Sequence, residues 1–300
     1  MTQSTVEDQL HDLYSSLEKN QTTDYYIDNL SFKYQQYLQY WNDDHDIMYT
    51  LWEALHDNSI HVASDGSHKP DTYFGAGAAV MTCDQTDNNK FTSIAAGSKC
   101  CAVESMTSLT PEQSGLISAL LILHIISLRY GSPLVTSIVH IWIDNAELLA
   151  RITTTETDDI WLKSYGVRDY GDMQLLRNLQ LILPHHLKIK YHKIKSHQDQ
   201  RSSSLSFEVS LNVKADELAN YMNFHMHGPI CSYQSTPHDG MILRNHQGVM
   251  ITNTNQFIRC QVKGDKIRTY LRDKHNWTDA TFALIDWNSL EMYLRSLPLT

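Results

Sequence analysis

Four acidic residues stand where the local pattern of the sequence changes: Asp65 after the apolar run 60–63, Glu112 just past Thr110-Pro111, Asp144 at the end of the apolar run 135–143, and Asp216 inside Ala215-Asp216-Glu217-Leu218-Ala219. Taken singly, each is explained as a solvated charge or a helix cap. Their joint placement points elsewhere. If the first and fourth strands of one sheet are neighbours, Asp65 and Asp144 sit side by side, and a helix starting above them brings Glu112 to the same spot. Carboxylates gathered in this way repel one another, and a hard divalent cation with oxygen ligands compensates them. Mg²⁺ suits such a donor set.

The elements that must position these acids follow from hydrophobic periodicity. Residues 60–63 run as a short strand into Ser64-Asp65-Gly66-Ser67, residues 73–81 form a second strand containing Gly75-Ala76-Gly77, and residues 91–96 a third, an antiparallel meander. Thr110-Pro111-Glu112-Gln113 has the form of a capping box, with Thr110 as N-cap, Pro111 at the first helical position and Gln113 at the third. The helix that follows is apolar nearly all round, so it belongs inside, with Ser114, Gly115, Ser118 and Ala119 permitting close approach to a sheet. Residues 135–143 read as a buried parallel strand, 146–152 and 172–183 as helices, 187–194 as a strand and 213–225 as a closing helix. The expected architecture is α/β: a mixed five-stranded sheet flanked by helices.

Around this unit, assigned to residues 59–227, lie two others. Residues 1–58 form an acidic, mostly helical N-terminal segment, with helices expected over 4–19, 29–41 and 47–56. Its tyrosines at 25, 26, 34, 37 and 40, with Trp41, are read as packing residues. Residues 228–300 form a C-terminal extension, with a hairpin over 241–251 and helices over 256–273 and 278–297.

The chain of 300 residues carries a net charge of -10. That looks wrong for a protein that meets nucleic acid until it is divided along the chain. Residues 1–58 hold 11 Asp and Glu against only Lys19 and Lys33, which leaves the remainder almost neutral. Within that remainder, Lys188, Lys190, Lys193, Lys195 and Arg201 form one basic run, and Arg259, Lys263, Lys266, Arg268, Arg272 and Lys274 another. Five cysteines (Cys83, Cys100, Cys101, Cys231, Cys260) form no Cys-x-x-Cys pair, and the odd count fits a reducing compartment. The polar, acidic first twenty residues fit no signal or transit peptide. An intracellular protein, nuclear or cytoplasmic and not secreted or membrane-bound, is expected.

Several stretches resemble type 1 ribonuclease H, in that family's order: Ser64-Asp65-Gly66-Ser67, the Gly75-Ala76-Gly77 strand, Pro111-Glu112, Ile143-Asp144-Asn145, Ile194-Lys195-Ser196-His197, and Asn212-Val213-Lys214-Ala215-Asp216-Glu217-Leu218-Ala219. The resemblance implies a ribonuclease H-like fold and a metal-dependent endonuclease that cuts the RNA strand of an RNA/DNA hybrid. Asp65, Glu112, Asp144 and Asp216 would hold two Mg²⁺ ions, with Mn²⁺ as a substitute, and His197 would join them as a mobile catalytic histidine. Ser67, Asn145, Lys195 and Asn212 are carried over as nucleic-acid contacts. The separation of His197 from Asp216, with residues 201–210 as an inserted Ser-rich loop, is similar to ribonuclease H domains at the C-termini of eukaryotic retroelement polyproteins. The tail resembles the segment after such domains, and a reverse-transcriptase domain in trans is a second candidate partner. The chain departs from the family where Ser108 and Thr110 replace asparagines before the catalytic Glu, and the basic protrusion between Asp144 and Leu187 is thin. Both features imply weak hybrid affinity.

Other readings stay open at this point. A catalytically idle retroelement remnant could bind nucleic acid without cutting it. A transposase or integrase would end its acidic triad on a late Glu and lacks the Ala-Asp-Glu-Leu-Ala helix, and a DEDD exonuclease would carry Asp-x-Glu where Asp65 is followed by Gly66 and Ser67. Zinc is suggested only by His185, His186, His192, His225 and His227, without cysteines at ligand spacing.

Overall fold

The computed structural model describes residues 22–42, 45–68, 74–83, 93–100, 108–131, 136–153, 167–185, 187–195 and 205–225, with Lys266, Thr269, Tyr270, 272–274 and Thr278. The chain divides into two units, Met1–Thr252 and Asn253–Thr300. In the second, the described residues 266, 269–270 and 272–274 are helical, and Lys274 Nζ donates to Tyr270 Oη at 2.6 Å. The expected N-terminal helix over 4–19 and the hairpin over 241–251 lie outside the described residues, as does nearly all of the helix over 278–297.

Six strands form the sheet of the first unit: β1 (Tyr40–Asn42), β2 (Ile60–His68), β3 (Gly75–Cys83), β4 (Ser93–Lys99), β5 (Ser137–Ile143) and β6 (Leu187–Lys193), in the order β1-β4-β3-β2-β5-β6. The pairs from β1 to β2 are antiparallel, and β2-β5 and β5-β6 are parallel. The mixed α/β sheet holds as expected, with one strand more than the five foreseen. The extra strand comes from the N-terminal segment. The helix expected over 29–41 is broken into α2 (Phe32–Gln35) and a 3₁₀ turn (Gln36–Leu38), after which Tyr40–Asn42 pairs with Ala95–Gly97 of β4. Tyr40 and Trp41 suit an extended edge, where aromatic side chains pack well on the pleated surface.

Helix α4 (Leu109–Tyr130) is the centre of the fold, buried from Leu109 to Ser127. It is long and apolar enough to cross a membrane, but its apolar stretch is wholly covered by protein. One sheet face packs Ile60, Val62, Met81, Ile94, Val139 and Ile141 against it. α1 (Thr23–Asp28), α3 (His45–His56) and α6 (Val167–Ile182) add Tyr26, Met48, Leu51, Leu55, Leu175 and Leu179 to the same core. The tyrosines do pack: Tyr26, Tyr34 and Tyr37 are buried, and Tyr37 Oη donates to Asp172 of α6 at 2.7 Å. Residues expected as a separate N-terminal segment thus share the sheet's core.

The opposite face is lined by Ala63, Ala76, Ala78 and Val80, small enough for α7 (Phe207–His225) to lie close through Leu211, Ala215, Ala219 and Met222. This helix starts six residues before the expected position 213. Residues 207–210, read as part of an inserted loop, are its first turn, with Phe207 edge-on to His61 of β2 and Leu211 packed on the sheet. α5 (Ala146–Thr153) follows β5. Asn58, in the left-handed conformation at φ 58°, turns the chain from α3 into β2, and its Oδ1 accepts from the Ile138 N–H at 2.6 Å. That bond helps align the starts of β2 and β5.

Candidate metal centre

The parallel register of β2 and β5 pairs Ser64 with Ile143. The next residue in each segment is an aspartate, so Asp144, just past the end of β5, lies beside Asp65; the latter was expected to close its strand but stands inside β2, which continues to His68 because Gly66 to His68 still pair with β3. Glu112 arrives from the first turn of α4, and its approach depends on glycines. A Cβ on Gly66 would collide with the Glu112 N and lie 2.6 Å from the Pro111 carbonyl carbon; one on Gly77 would strike the Pro111 O and the Gly115 N. Only glycine lets the helix start rest on the strand backbones.

That start differs from the expected capping box. Helix α4 begins at Leu109, and Ser108 holds the cap position with helical dihedrals (φ -59°, ψ -26°) and no side-chain capping bond. Thr110 and Pro111 are therefore the second and third helical residues. Proline is tolerated there because the first four N–H groups of a helix have no partner within it.

Asp65, Glu112 and Asp144 each place an oxygen within 4.8 Å of the other two, with Asp65 and Glu112 buried and Asp144 half-buried. Burial, then the charges of Asp144 and Asp216, push the Asp65 carboxyl up to about 8. Glu112 is raised well above the usual carboxylate range, by burial first and then by Asp65 and Asp144. Its Oε2 is buried with no hydrogen-bond partner, as is the Oδ1 of Asn212. Negative charge held in excess, together with orphaned acceptor oxygens, is what a hard cation relieves. The donor set fits a divalent ion.

Two donors orient Asp65: the Gly66 N–H to Oδ1 at 2.7 Å and Asn212 Nδ2 to Oδ2 at 3.2 Å. Asp216 lies outside the trio but close enough for its charge to act on Asp65, and its Oδ1 accepts from Asn220 Nδ2 at 2.9 Å. Ser67 is buried and donates to Asn220 Oδ1 at 2.6 Å. The Asn145 Oδ1 accepts from the Leu148 N–H at 3.0 Å, which makes it the cap of α5. Lys195 is exposed just after β6, and His197 lies outside the described residues. Lys193, in register with Ile143, was read only as part of a basic run; its charge counters the rise of Glu112. Asn220 was not foreseen either, although its position four residues after Asp216 is the spacing of one helix face.

Two of the histidines weighed for zinc make other contacts. His192 shares a hydrogen bond with His140 at 2.8 Å and stacks on Trp142, and His225 stacks on Tyr221. No group of three ligand residues containing a histidine occurs among the described residues.

No family model and no curated protein matches this chain. Among solved structures it is similar to LC11-RNase H1, isolated from compost by a metagenomic approach. Identity there is 17% and TM-score 0.35, over 55% of this chain and 96% of that one. It is also similar to LC11-RNase H1 in complex with an RNA/DNA hybrid, at 16% identity and TM-score 0.34, over 55% and 96%. A third is the N-terminal RNase H domain of rv2228c from Mycobacterium tuberculosis, at 17% and 0.33, over 54% and 91%.

Proposed function

We propose that this chain is a metal-dependent endonuclease that hydrolyses the RNA strand of RNA/DNA hybrids, a ribonuclease H of type 1. The observation that carries the reading is the convergence of Asp65, Glu112 and Asp144, from a strand, a helix start and a second strand, on one small volume. The run of motifs from Ser64-Asp65-Gly66-Ser67 to Ala215-Asp216-Glu217-Leu218-Ala219 supports it from the sequence.

In this reading Asp65, Glu112, Asp144 and Asp216 hold two Mg²⁺ ions, and Mn²⁺ can replace them. When bound, such ions activate water for attack and stabilise the leaving oxygen of a phosphodiester. The chain's own residues prepare the place. Asn212 and the Gly66 N–H fix both oxygens of Asp65, so the carboxylate meets a cation without reorienting. Burial beside Asp144 and Asp216 pushes the Asp65 carboxyl up to about 8, so a bound cation would take the place of its proton near neutrality. His197 assists the water or product departure, and Lys195, exposed just after β6, meets the hybrid, recognised by its shape and 2′-hydroxyls rather than its sequence. The length between His197 and Asp216 and the resemblance of the tail favour an origin in a retroelement, with a reverse-transcriptase domain in trans as partner.

The deciding experiment is a Mg²⁺-dependent cleavage assay on an RNA/DNA hybrid, with duplex DNA and duplex RNA as controls. Cleavage of the hybrid's RNA strand alone is expected, and its abolition by chelator. Hybrid binding without metal-dependent cutting would overturn the proposal in favour of an idle retroelement-derived binding protein.

A further inference from the structure

Helix α7 turns a line of polar side chains toward β2: Asn212, Asp216, Asn220 and Asn223, spaced by helical turns so that they share one face. Asn212 is committed to Asp65. Asp216 takes the Asn220 amide N–H, and the other end of that amide accepts the Ser67 hydroxyl. Asn223 Nδ2 approaches Ser67 Oγ at 3.4 Å. Ser67 lies two residues beyond Asp65 on β2, on the same side of the strand. A chain of hydrogen bonds therefore runs from the strand that carries Asp65 to the helix that carries Asp216.

The direction of this chain is fixed by chemistry. Turning the Asn220 amide over would place its oxygen against the Asp216 carboxylate, two acceptors facing each other, so the N–H must face Asp216 and the oxygen must face Ser67. Ser67 must then donate. With its proton given to Asn220 and its side chain buried, its hydroxyl has no hydrogen left to offer a ligand.

We infer that Ser67 and Asn220 are positioning residues for the second of the two cations. They hold the Asp216 carboxylate in place relative to Asp65, so an ion shared by Asp65 and Asp216 depends on them. An ion held by Asp65, Glu112 and Asp144 does not. Ser67, carried over from the sequence as a nucleic-acid contact, becomes an internal brace. This inference rests on the two-cation reading given above.

The test is Mn²⁺ binding to the full chain, followed by electron paramagnetic resonance, for the wild type, Asn220→Ala, Ser67→Ala, Ser67→Thr and the double variant Ser67→Ala/Asn220→Ala. Thermal melting in chelator serves as a check on folding. The wild type is expected to bind two ions. Asn220→Ala should weaken one of the two ions by about 10-fold, the low end of what partners of metal ligands are worth, and leave the other unchanged. Ser67→Ala, a milder change at a strand position, should act in the same direction, and Ser67→Thr should restore binding. The double variant should be no worse than Asn220→Ala, because both act through one chain of bonds.

Wild-type affinity for both ions in Asn220→Ala and Ser67→Ala would overturn the inference and leave the two-cation reading standing. Additive losses, or a Ser67→Ala variant that loses hybrid affinity in chelator while binding Mn²⁺ normally, would also overturn it. A wild-type chain that binds no Mn²⁺ would sink both proposals.

Discussion

The carbonyl oxygen of Asp65 lies 2.9 Å from the point where a side-chain carbon on Gly115 would stand, so α4 and β2 meet backbone to backbone. The Ala78 carbonyl is closer still, at 2.6 Å. Neither is the end of a flexible side chain that could step aside. Gly115→Ala should therefore push the helix start off the sheet and cost about 3 kcal/mol, the upper part of the range for overpacking. Urea unfolding measures it, and Mn²⁺ affinity should fall with it as Glu112 moves away. A variant as stable as the wild type would show that the helix can slide without penalty.

Asp144→Asn keeps the side chain's volume and removes one ligand charge. Hybrid cleavage should drop by more than the ~10–100-fold that losing an outer partner of a metal ligand costs. In chelator the same variant should melt higher than the wild type, because Asp144 is among the charges that raise both Asp65 and Glu112. Near-normal metal-dependent cleavage would remove Asp144 from the site.

The cation-free protein should lose stability as the solution becomes alkaline. Asp65, held at about 8 by burial and by the neighbouring Asp144 and Asp216, binds its proton more tightly folded than unfolded. Such a group contributes stability that is complete below its unfolded pKa of roughly 4 and lost as pH rises through about 8. Glu112 is shifted in the same direction. Melting in chelator should thus occur at lower temperature at pH 9 than at pH 6, and millimolar Mg²⁺ should narrow the gap by taking the proton's place. A melting temperature that climbs over that interval without cation would contradict the assignment.

Tyr37→Phe tests whether the N-terminal residues belong to the core. The change removes the hydroxyl that Asp172 accepts from, inside a region where Asp172 is buried. Leaving a buried acceptor short of a donor costs about 1–3 kcal/mol. Chemical denaturation should show one cooperative transition shifted by that amount. A separate early transition, with the main one unmoved, would mean that the N-terminal segment unfolds by itself.

Part of the site could be read from the sequence because β5 ends at its acid: the apolar run before Asp144 stops there. The short run before Asp65 gives out at Ser64 while the strand continues to His68, and the parallel pairing of Ser64 with Ile143 is what sets the two acids side by side. Glu112 was legible through the proline beside it, although the capping box was not what started the helix. The glycines that admit α4 were only half visible. Gly115 was read as a small residue for close approach, whereas the parts played by Gly66 and Gly77 emerge only when the helix is laid on the sheet. In the N-terminal segment Asp24, Asp28, Glu53 and Asp57 are exposed while Tyr26, Tyr34 and Leu51 are buried in the core that holds the central helix, and composition does not separate the two faces. Asn220 was missed because one amide on a helix has no meaning until the strand opposite supplies Ser67.

Strand β1 is three residues long and covers the middle of the seven-residue β4, Ala95 to Gly97, at one rim of the sheet. That rim, written Ser-Ile-Ala-Ala-Gly-Ser-Lys, has one charge, at its end, and small side chains along its length. Left bare, it would be a flat template for a strand from another molecule. Tyr40–Asn42 therefore acts as a guard against fibrous self-association, and a chain shortened to begin at residue 59 should gather into β-rich aggregates even where its carboxylates are intact.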